Sequence, residues 1–199
     1  MRIALRILIV VAAPAYAQSK LELDGFATYS FLKEIGTRDV GVGTEVGGLG
    51  GRFVYQALRH LDLETDLAFL PGNSATTGNK FQGLFGGKVG FRAQRVGVFA
   101  KTRAGFLHFR RDPFGVSDPG TTFLFRERAH STEPNVDLGV VVEFYTRKGL
   151  ILRLDVADSI VSYGRRTVHV SDFVPDMQAG GFTTHNLQVS FGMGRRVGR

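Results

Sequence analysis

The stretch Leu61-Asp62-Leu63-Glu64-Thr65-Asp66-Leu67-Ala68-Phe69-Leu70 alternates almost without a break between apolar or β-branched residues and acidic or small ones. Successive side chains of a strand point to opposite faces, so the pattern sets Leu61, Leu63, Thr65, Leu67 and Phe69 against Asp62, Glu64, Asp66 and Ala68. A helix, with its period of 3.6, would scatter the same residues around its circumference. This stretch is predicted to be a strand with one greasy face and one charged face.

The same alternation recurs seven more times, over Lys20–Phe31, Val46–Gln56, Lys80–Arg92, Val96–Phe109, Val136–Tyr145, Leu150–Asp158 and His185–Gly194. About ten residues at 3.3 Å each, tilted by about 40°, rise on the order of 25 Å, which is the height of the apolar band of an outer membrane. The joins alternate in length as well. Tight turns are predicted around Arg59-His60, Ala93 to Arg95 and Arg147 to Gly149, and long joins over Leu32–Glu45, Pro71–Asn79, Arg110–Asn135 and Ser159–Thr184. Short turns on one side and long loops on the other are the habit of transmembrane barrels.

The first residues say how such a chain reaches a membrane. Arg2 and Arg6 precede an uncharged apolar run from Ile7 to Ala13, then Ala15-Tyr16-Ala17 and Gln18. A basic start, a short greasy middle and a small-residue box make a secretory signal peptide. Pro14 breaks the run well short of the 18 to 20 or so apolar residues that a helical anchor needs. The expected organisation is a cleaved signal over 1–17 and one β-barrel domain over 18–199.

Composition narrows the alternatives. The 199 residues include 26 Gly and 17 Phe but no cysteine, which rules out a small exported fold stapled by disulfides. The formal charge is +7, and loss of the signal peptide lowers it by two. Export makes nucleic acid an unexpected partner, so what matters is where the charge sits.

On the polar faces, Lys20, Arg52, Lys80, Lys88, Arg92, Lys101, Arg103 and Arg153 stand against Glu22, Asp24, Asp62, Glu64, Asp66, Asp137, Glu143 and Asp155. The signs balance, as an enclosed network requires, because an unpaired buried charge costs several kcal/mol. The charged face is therefore predicted to point inward and the greasy face toward lipid. Gly48, Gly50, Gly86, Gly90 and Gly139 share the inward parity and leave room for long arms. Aromatic residues gather at both ends of the greasy face, with Tyr29, Phe31, Phe69, Phe81 and Phe106 toward the long joins and Phe53, Tyr55, Phe91 and Phe144 toward the turns. Girdles at two water boundaries produce such a distribution.

With these features the whole chain after the signal resembles the small eight-stranded outer-membrane barrels of the outer-membrane protein A and X type. The resemblance is one of architecture and rests on the eight segments, without a sequence motif. It implies an all-β, antiparallel, up-and-down barrel with a filled polar interior, assembled by the barrel-assembly machinery and surrounded by outer-membrane lipids and lipopolysaccharide as a monomer. Relatives end in a strand that closes on an aromatic residue; here Phe191 starts that pattern and Arg195-Arg196-Val197-Gly198-Arg199 follows. The peptidoglycan-binding module of some relatives is not expected.

Other chemistry is thinly represented. Gly41-Val42-Gly43 has Val46 where a third glycine belongs and no Lys-Ser or Lys-Thr after it, so no nucleotide cofactor is expected. The histidines at 60, 108, 130, 169 and 185 show no helical metal-site spacing, so no metal site is assigned. A lipopolysaccharide-modifying acyl hydrolase or transferase would need a hydroxyl, a histidine and a carboxylate near the outer leaflet. His108 and His185 have outward parity, and His130-Ser131 and His169-Val170-Ser171-Asp172 lie in long joins, but no spacing fixes a triad, and no catalytic residue is assigned. Eight strands enclose a space that side chains fill, so a wide pore is not expected.

The reading is an integral outer-membrane barrel of a Gram-negative-type envelope, non-enzymatic, with a structural, surface-interaction or envelope-integrity role. The alternatives are the acyl hydrolase or transferase and a soluble periplasmic barrel carrying a hydrophobic ligand. The interior charge network is assigned to Glu22, Asp24, Arg52, Asp62, Glu64, Asp66, Lys88, Arg92, Lys101, Arg103, Asp137, Glu143, Arg153 and Asp155. On the turn side Arg59, Arg95, Arg147, Lys148, Arg195, Arg196 and Arg199 occur with no acidic residue among them. They are expected to meet anionic phospholipid headgroups, where each basic residue contributes about 1 kcal/mol. The first measurable consequence concerns export: intact-mass analysis of protein recovered from membranes is expected to show Gln18 at the N-terminus, and retention of Met1 would refute the signal assignment.

Overall fold

The computed structural model describes residues 20–35, 40–72, 78–110, 130–147, 149–168 and 177–197. The signal peptide expected over 1–17 and the stretch His169 to Asp172 fall outside the described residues.

Eight long antiparallel strands close on themselves: β1 (Leu21–Ile35), β2 (Val40–Leu58), β3 (Leu61–Leu70), β4 (Lys80–Arg92), β5 (Val96–Phe109), β6 (Ser131–Tyr145), β7 (Leu150–Tyr163) and β10 (Phe182–Val197). Two three-residue strands, β8 (Arg166–Val168) and β9 (Met177–Ala179), form a separate hairpin between β7 and β10. Around the ring the order is β1-β10-β7-β6-β5-β4-β3-β2, and β2 pairs with β1 to close it. Each long strand except β1 pairs with its predecessor among the eight, so the barrel is up-and-down, and the β1–β10 seam spans Leu21↔Val197 to Ser30↔Gln188. Closure removes the unpaired edges that an open sheet would expose to hydrocarbon.

Strands β3, β4 and β5 have the bounds that alternation predicts. The others run further toward the long joins. Leu32 to Ile35 pairs with Val40 to Thr44, β6 begins at Ser131, and β7 continues to Tyr163 opposite Phe182. The joins predicted over Leu32–Glu45, Arg110–Asn135 and Ser159–Thr184 are thus shorter than expected. The reason is physical: alternation is enforced only where one face meets lipid, and beyond that band a ladder needs backbone pairing alone. The 19 residues of β2 rise roughly 45 Å at the same tilt, well past a 25 Å band.

The outward face carries the belt. Leu23, Leu49, Phe53, Leu63, Leu67, Phe85, Val89, Val98, Leu138, Val140, Leu154, Leu187, Phe191 and Met193 are all exposed on it. So large a contiguous apolar surface has no place in water. The aromatic girdles sit at its margins. Tyr29 and Phe31 pack edge to face at 5.1 Å, and Phe81 lies 6.3 Å from Phe106, on the loop side. Phe91 stacks edge-on against His60 at 5.6 Å on the turn side. The Tyr29 hydroxyl donates to Glu45, an exposed carboxylate that marks where the belt ends.

Leu138 lies midway along β6 and is 47% exposed. Leu138→Arg is expected to lower the unfolding free energy in phospholipid vesicles by about 2–4 kcal/mol, the cost of a cation near the bilayer midplane. Urea titration of the vesicle-inserted protein measures it, and an unchanged midpoint would mean that Leu138 faces water.

Candidate functional site

The inward residues fall into tiers along the barrel axis. The tier nearer the turns is ionic, and it forms one continuous web. Arg52 on β2 donates to both carboxylate oxygens of Asp66 on β3, each at 2.6 Å, and reaches Asp24 on β1 at 3.3 Å and Asp155 on β7 at 3.4 Å. Arg103 on β5 also donates to Asp66, and its second terminal nitrogen meets Asp137 on β6 at 2.8 Å. Lys101 bridges Asp137 at 3.1 Å and Asp155 at 2.5 Å.

Arg153 on β7 holds Glu64 on β3 through two bonds, 2.7 and 3.0 Å long, and touches Asp155 at 3.2 Å and Glu143 at 3.5 Å. Strands β7 and β3 stand four places apart in a ring of eight, so this pair spans the lumen. Lys88 on β4 donates to Glu143 on β6 and lies 3.4 Å from Asp62. These residues are almost wholly enclosed: Lys88 and Asp62 are 0% exposed, Glu64 1% and Arg153 2%. Desolvation on that scale is tolerable only because every charge has neighbours of opposite sign.

Aromatic faces cover two of the cationic clusters. Arg52 lies 4.7 Å from the centre of the Phe26 ring, and Lys88 and Arg92 lie 4.8 and 4.9 Å from that of Phe99. Small residues make the room. A Cβ on Gly50 would strike the Phe26 ring, and one on Gly192 would fall 2.7 Å from Asp24 Oδ1. At Gly48, Gly86, Gly90 and Gly139 a Cβ would first strike the backbone of the neighbouring strand, so these glycines serve close strand approach rather than charged arms.

Above the ionic tier sits a neutral one. Gln188 on β10 donates to Gln82 on the opposite strand β4 at 3.2 Å and to Thr28 at 2.9 Å, and Ser190 donates to Thr28 at 2.9 Å. Ser159 donates to Asn135 at 3.0 Å. Nearer the loops an apolar cap closes the lumen, with Leu32, Val46, Leu70, Leu107, Phe109, Val161 and Tyr163 buried together and Phe182 stacked on Tyr163 at 4.8 Å. Lys80 and Glu133 are buried at this level. Sequence reasoning misses the cap because Leu70, Leu107 and Phe109 stand at the loop ends of polar-faced segments, while Leu32, Val161 and Tyr163 lie in stretches that read as joins. Read strand by strand, the parity of Phe26, Leu70, Leu107 and Phe109 was the available signal.

At the turn end a floor is built from Glu22, Arg196, Tyr145 and Arg92. Arg196 donates through Nε to Glu22 at 2.9 Å and lies over the Tyr145 ring at 5.3 Å. Arg92 donates to the Tyr145 hydroxyl at 3.2 Å and to Asp62. Arg196, one of the residues expected at headgroups, has inward parity and is the register partner of Glu22, yet remains exposed. Arg59, Arg95, Arg147 and Arg195 are exposed at the turn-side rim, while Lys148 and Arg199 fall outside the described residues.

Two of the outward histidines find partners. His185 Nδ1 donates to Asp158 at 2.6 Å, and His108 shares a 2.8 Å hydrogen bond with Thr132. Among the described residues no serine hydroxyl bonds either ring, and no three potential metal ligands converge. Asp158, the last residue of the Leu150–Asp158 segment, has outward parity on β7, which places it on the belt side, where His185 meets it.

The architecture has counterparts among solved structures. The crystal structure of Neisserial surface protein A superposes with a TM-score of 0.60 at 10% identity, covering 90% of this chain and 98% of that one. The N-terminal β-barrel domain of Pseudomonas aeruginosa OprF gives 0.51 at 11% identity, with 89% and 97% covered. Ail, the attachment invasion locus protein of Yersinia pestis, gives 0.51 at 12% identity, with 91% and 100% covered. The shared property is the fold, a small eight-stranded membrane barrel. No protein-family model matches the chain, and no curated protein matches it in sequence.

Glu64→Ala leaves Arg153 enclosed and short of its cross-lumen partner. It is expected to cost about 3–5 kcal/mol, the usual penalty for breaking a buried pair. Arg110→Ala, at an exposed position, is expected to stay within about 0.5 kcal/mol. Urea unfolding in detergent micelles compares them, and coincident midpoints would refute the network.

Proposed function

We propose that this chain is an integral outer-membrane protein whose barrel is a sealed, monomeric anchor, with its work lying in surface interaction or envelope integrity rather than in catalysis or wide-pore transport. The observation that carries the reading is the inversion of ordinary globular order. A continuous apolar belt faces outward, and the buried charges are crossed by the Arg153–Glu64 pair inside. Only a hydrocarbon solvent makes that arrangement favourable.

Several observations support the finer parts. The lumen holds interlocked side chains at three levels, so ions and solutes meet charged arms, amides and then an apolar cap. A soluble carrier would need a greasy internal cavity, whereas these side chains fill the interior. Lipid acyl chains are the natural neighbours of the belt, lipopolysaccharide of the loop-side girdle, and the barrel-assembly machinery is the partner expected for β10. Among the solved barrels of like build are a surface protein and an attachment invasion protein, in keeping with a role at the cell surface. The His185–Asp158 pair supplies two ingredients of an acyl hydrolase, but an activated hydroxyl is the third and chemistry needs all three in place.

The protein is expected in the outer-membrane fraction, resistant to carbonate washing, and to migrate differently on gels before and after boiling. Reconstituted into planar bilayers, it is expected to show no sustained large conductance. Release by carbonate would overturn the membrane reading, and a steady large open level would overturn the sealed lumen.

A further inference from the structure

The turn between β6 and β7 is more tightly built than its length requires. Thr146 N and Oγ1 both donate to Leu150 O, at 2.9 and 3.0 Å, and Oγ1 accepts from Leu150 N at 3.1 Å. Gly149 N donates to Thr146 O at 3.1 Å, and Gly149 adopts a φ of 76°, which only glycine takes without strain. Arg147 follows Thr146, whose bonds to Leu150 close the turn. Beside it, Arg195 projects from the outward face of β10, the register partner of Leu150 on one side and of Leu23 on the other.

Thr146, Arg147, Leu150 and Arg195 line a recess of about 680 Å3. The recess opens onto the outer surface of the barrel rather than enclosing a ligand. Neither guanidinium makes a side-chain hydrogen bond or ion pair among the described residues, whereas the adjacent Arg196 is bound to Glu22. The recess thus joins two uncommitted guanidinium groups to a leucine wall that continues outward as Leu152 and Leu154 along the belt.

We propose that this recess is a binding site for one anionic glycerophospholipid of the turn-side leaflet; the proposal rests on the outer-membrane reading above. The phosphate sits between Arg147 and Arg195, whose planar forks match phosphate oxygens, and an acyl chain runs along Leu150 and Leu154. The apolar wall distinguishes a lipid from a free phosphate. The doubled positive charge favours a headgroup with net negative charge over a zwitterionic one, whose ammonium would face two guanidinium groups. Of the basic rim residues, these two share a formed recess.

Native mass spectrometry of the folded protein in micelles, titrated with phosphatidylglycerol or phosphatidylcholine, tests the site. Wild type is expected to retain one phosphatidylglycerol and to bind phosphatidylcholine roughly tenfold more weakly. R147Q/R195Q is expected to lose roughly thirtyfold in affinity, and each single variant about fivefold, as removal of one or two surface cations implies. R110Q/R165Q, the same change in charge at the opposite end of the barrel, is expected to stay within about twofold. Glycerophosphate at equal concentration is expected not to displace the lipid. Equal binding by R147Q/R195Q, equal binding of phosphatidylcholine, or displacement by glycerophosphate would each overturn the site. Every sample is checked for heat-modifiable migration. Its absence in wild type would overturn the membrane reading itself, whereas a folded wild-type barrel that fails the lipid test overturns the site alone.

Discussion

The barrel depends on a bond across its own diameter. Arg153 and Glu64 stand on opposite strands, so their two hydrogen bonds fix the distance between walls that no backbone ladder connects. Eight strands leave a lumen just wide enough to be filled by side chains, and the pair makes use of that width. Shorter arms would leave a gap, and an extra layer would have no room. The rest of the ionic web follows from this choice. Once Arg153 is enclosed, Asp155 and Glu143 are needed near it, and Lys88 and Lys101 are needed near them. Gly192 then becomes a spatial requirement, since a Cβ there would strike the Asp24 carboxylate.

Electrostatics of this strength would be wasteful in a soluble core, where apolar residues of similar volume often do as well or better. In a membrane barrel the balance changes, because the apolar residues are wanted outside. Hydrocarbon around the belt supplies no contrast between inside and outside for leucine, so specificity of closure must come from the lumen. A web in which Arg52, Lys88, Lys101, Arg103 and Arg153 each touch carboxylates on two or three other strands distinguishes the native register from one shifted by two residues. A two-residue slip would keep every belt residue facing lipid while misaligning the charges. The neutral tier and the apolar cap then exclude water from the loop end, and the Glu22–Arg196–Tyr145 floor narrows the turn end.

Much of this was legible in the chain because the membrane imposes a two-residue period. β3, β4 and β5, with belt residues along their length, match the bounds read from alternation. Where lipid ends, the rule ends too, and β2 and β7 continue into stretches that read as joins. The polar-face residues could be named from parity and balance, but their partners could not. Whether Arg103 meets Asp66 or Asp155 depends on stagger between strands, which no single strand records. The apolar cap is hidden for a related reason, since its members sit at segment ends or in stretches that read as joins, and only the closed barrel brings Phe109 to Tyr163.

Arg195 and Arg196 compress the logic of the fold into adjacent residues. They have the same side chain, the same strand and nearly the same height, yet parity sends one outward and the other inward. The inward one meets Glu22 and closes the floor; the outward one stands beside Leu150 and Leu23 with no carboxylate in reach among the described residues. An excess of arginine on the turn side therefore cannot be read as one population. Part of it pairs within the protein, as Arg196 does, and part stands on the outward face with no carboxylate in reach among the described residues, as Arg195 does. A strand-by-strand parity count separates the two before any contact is measured, and it assigns to the membrane only those cations that the barrel has not already neutralised.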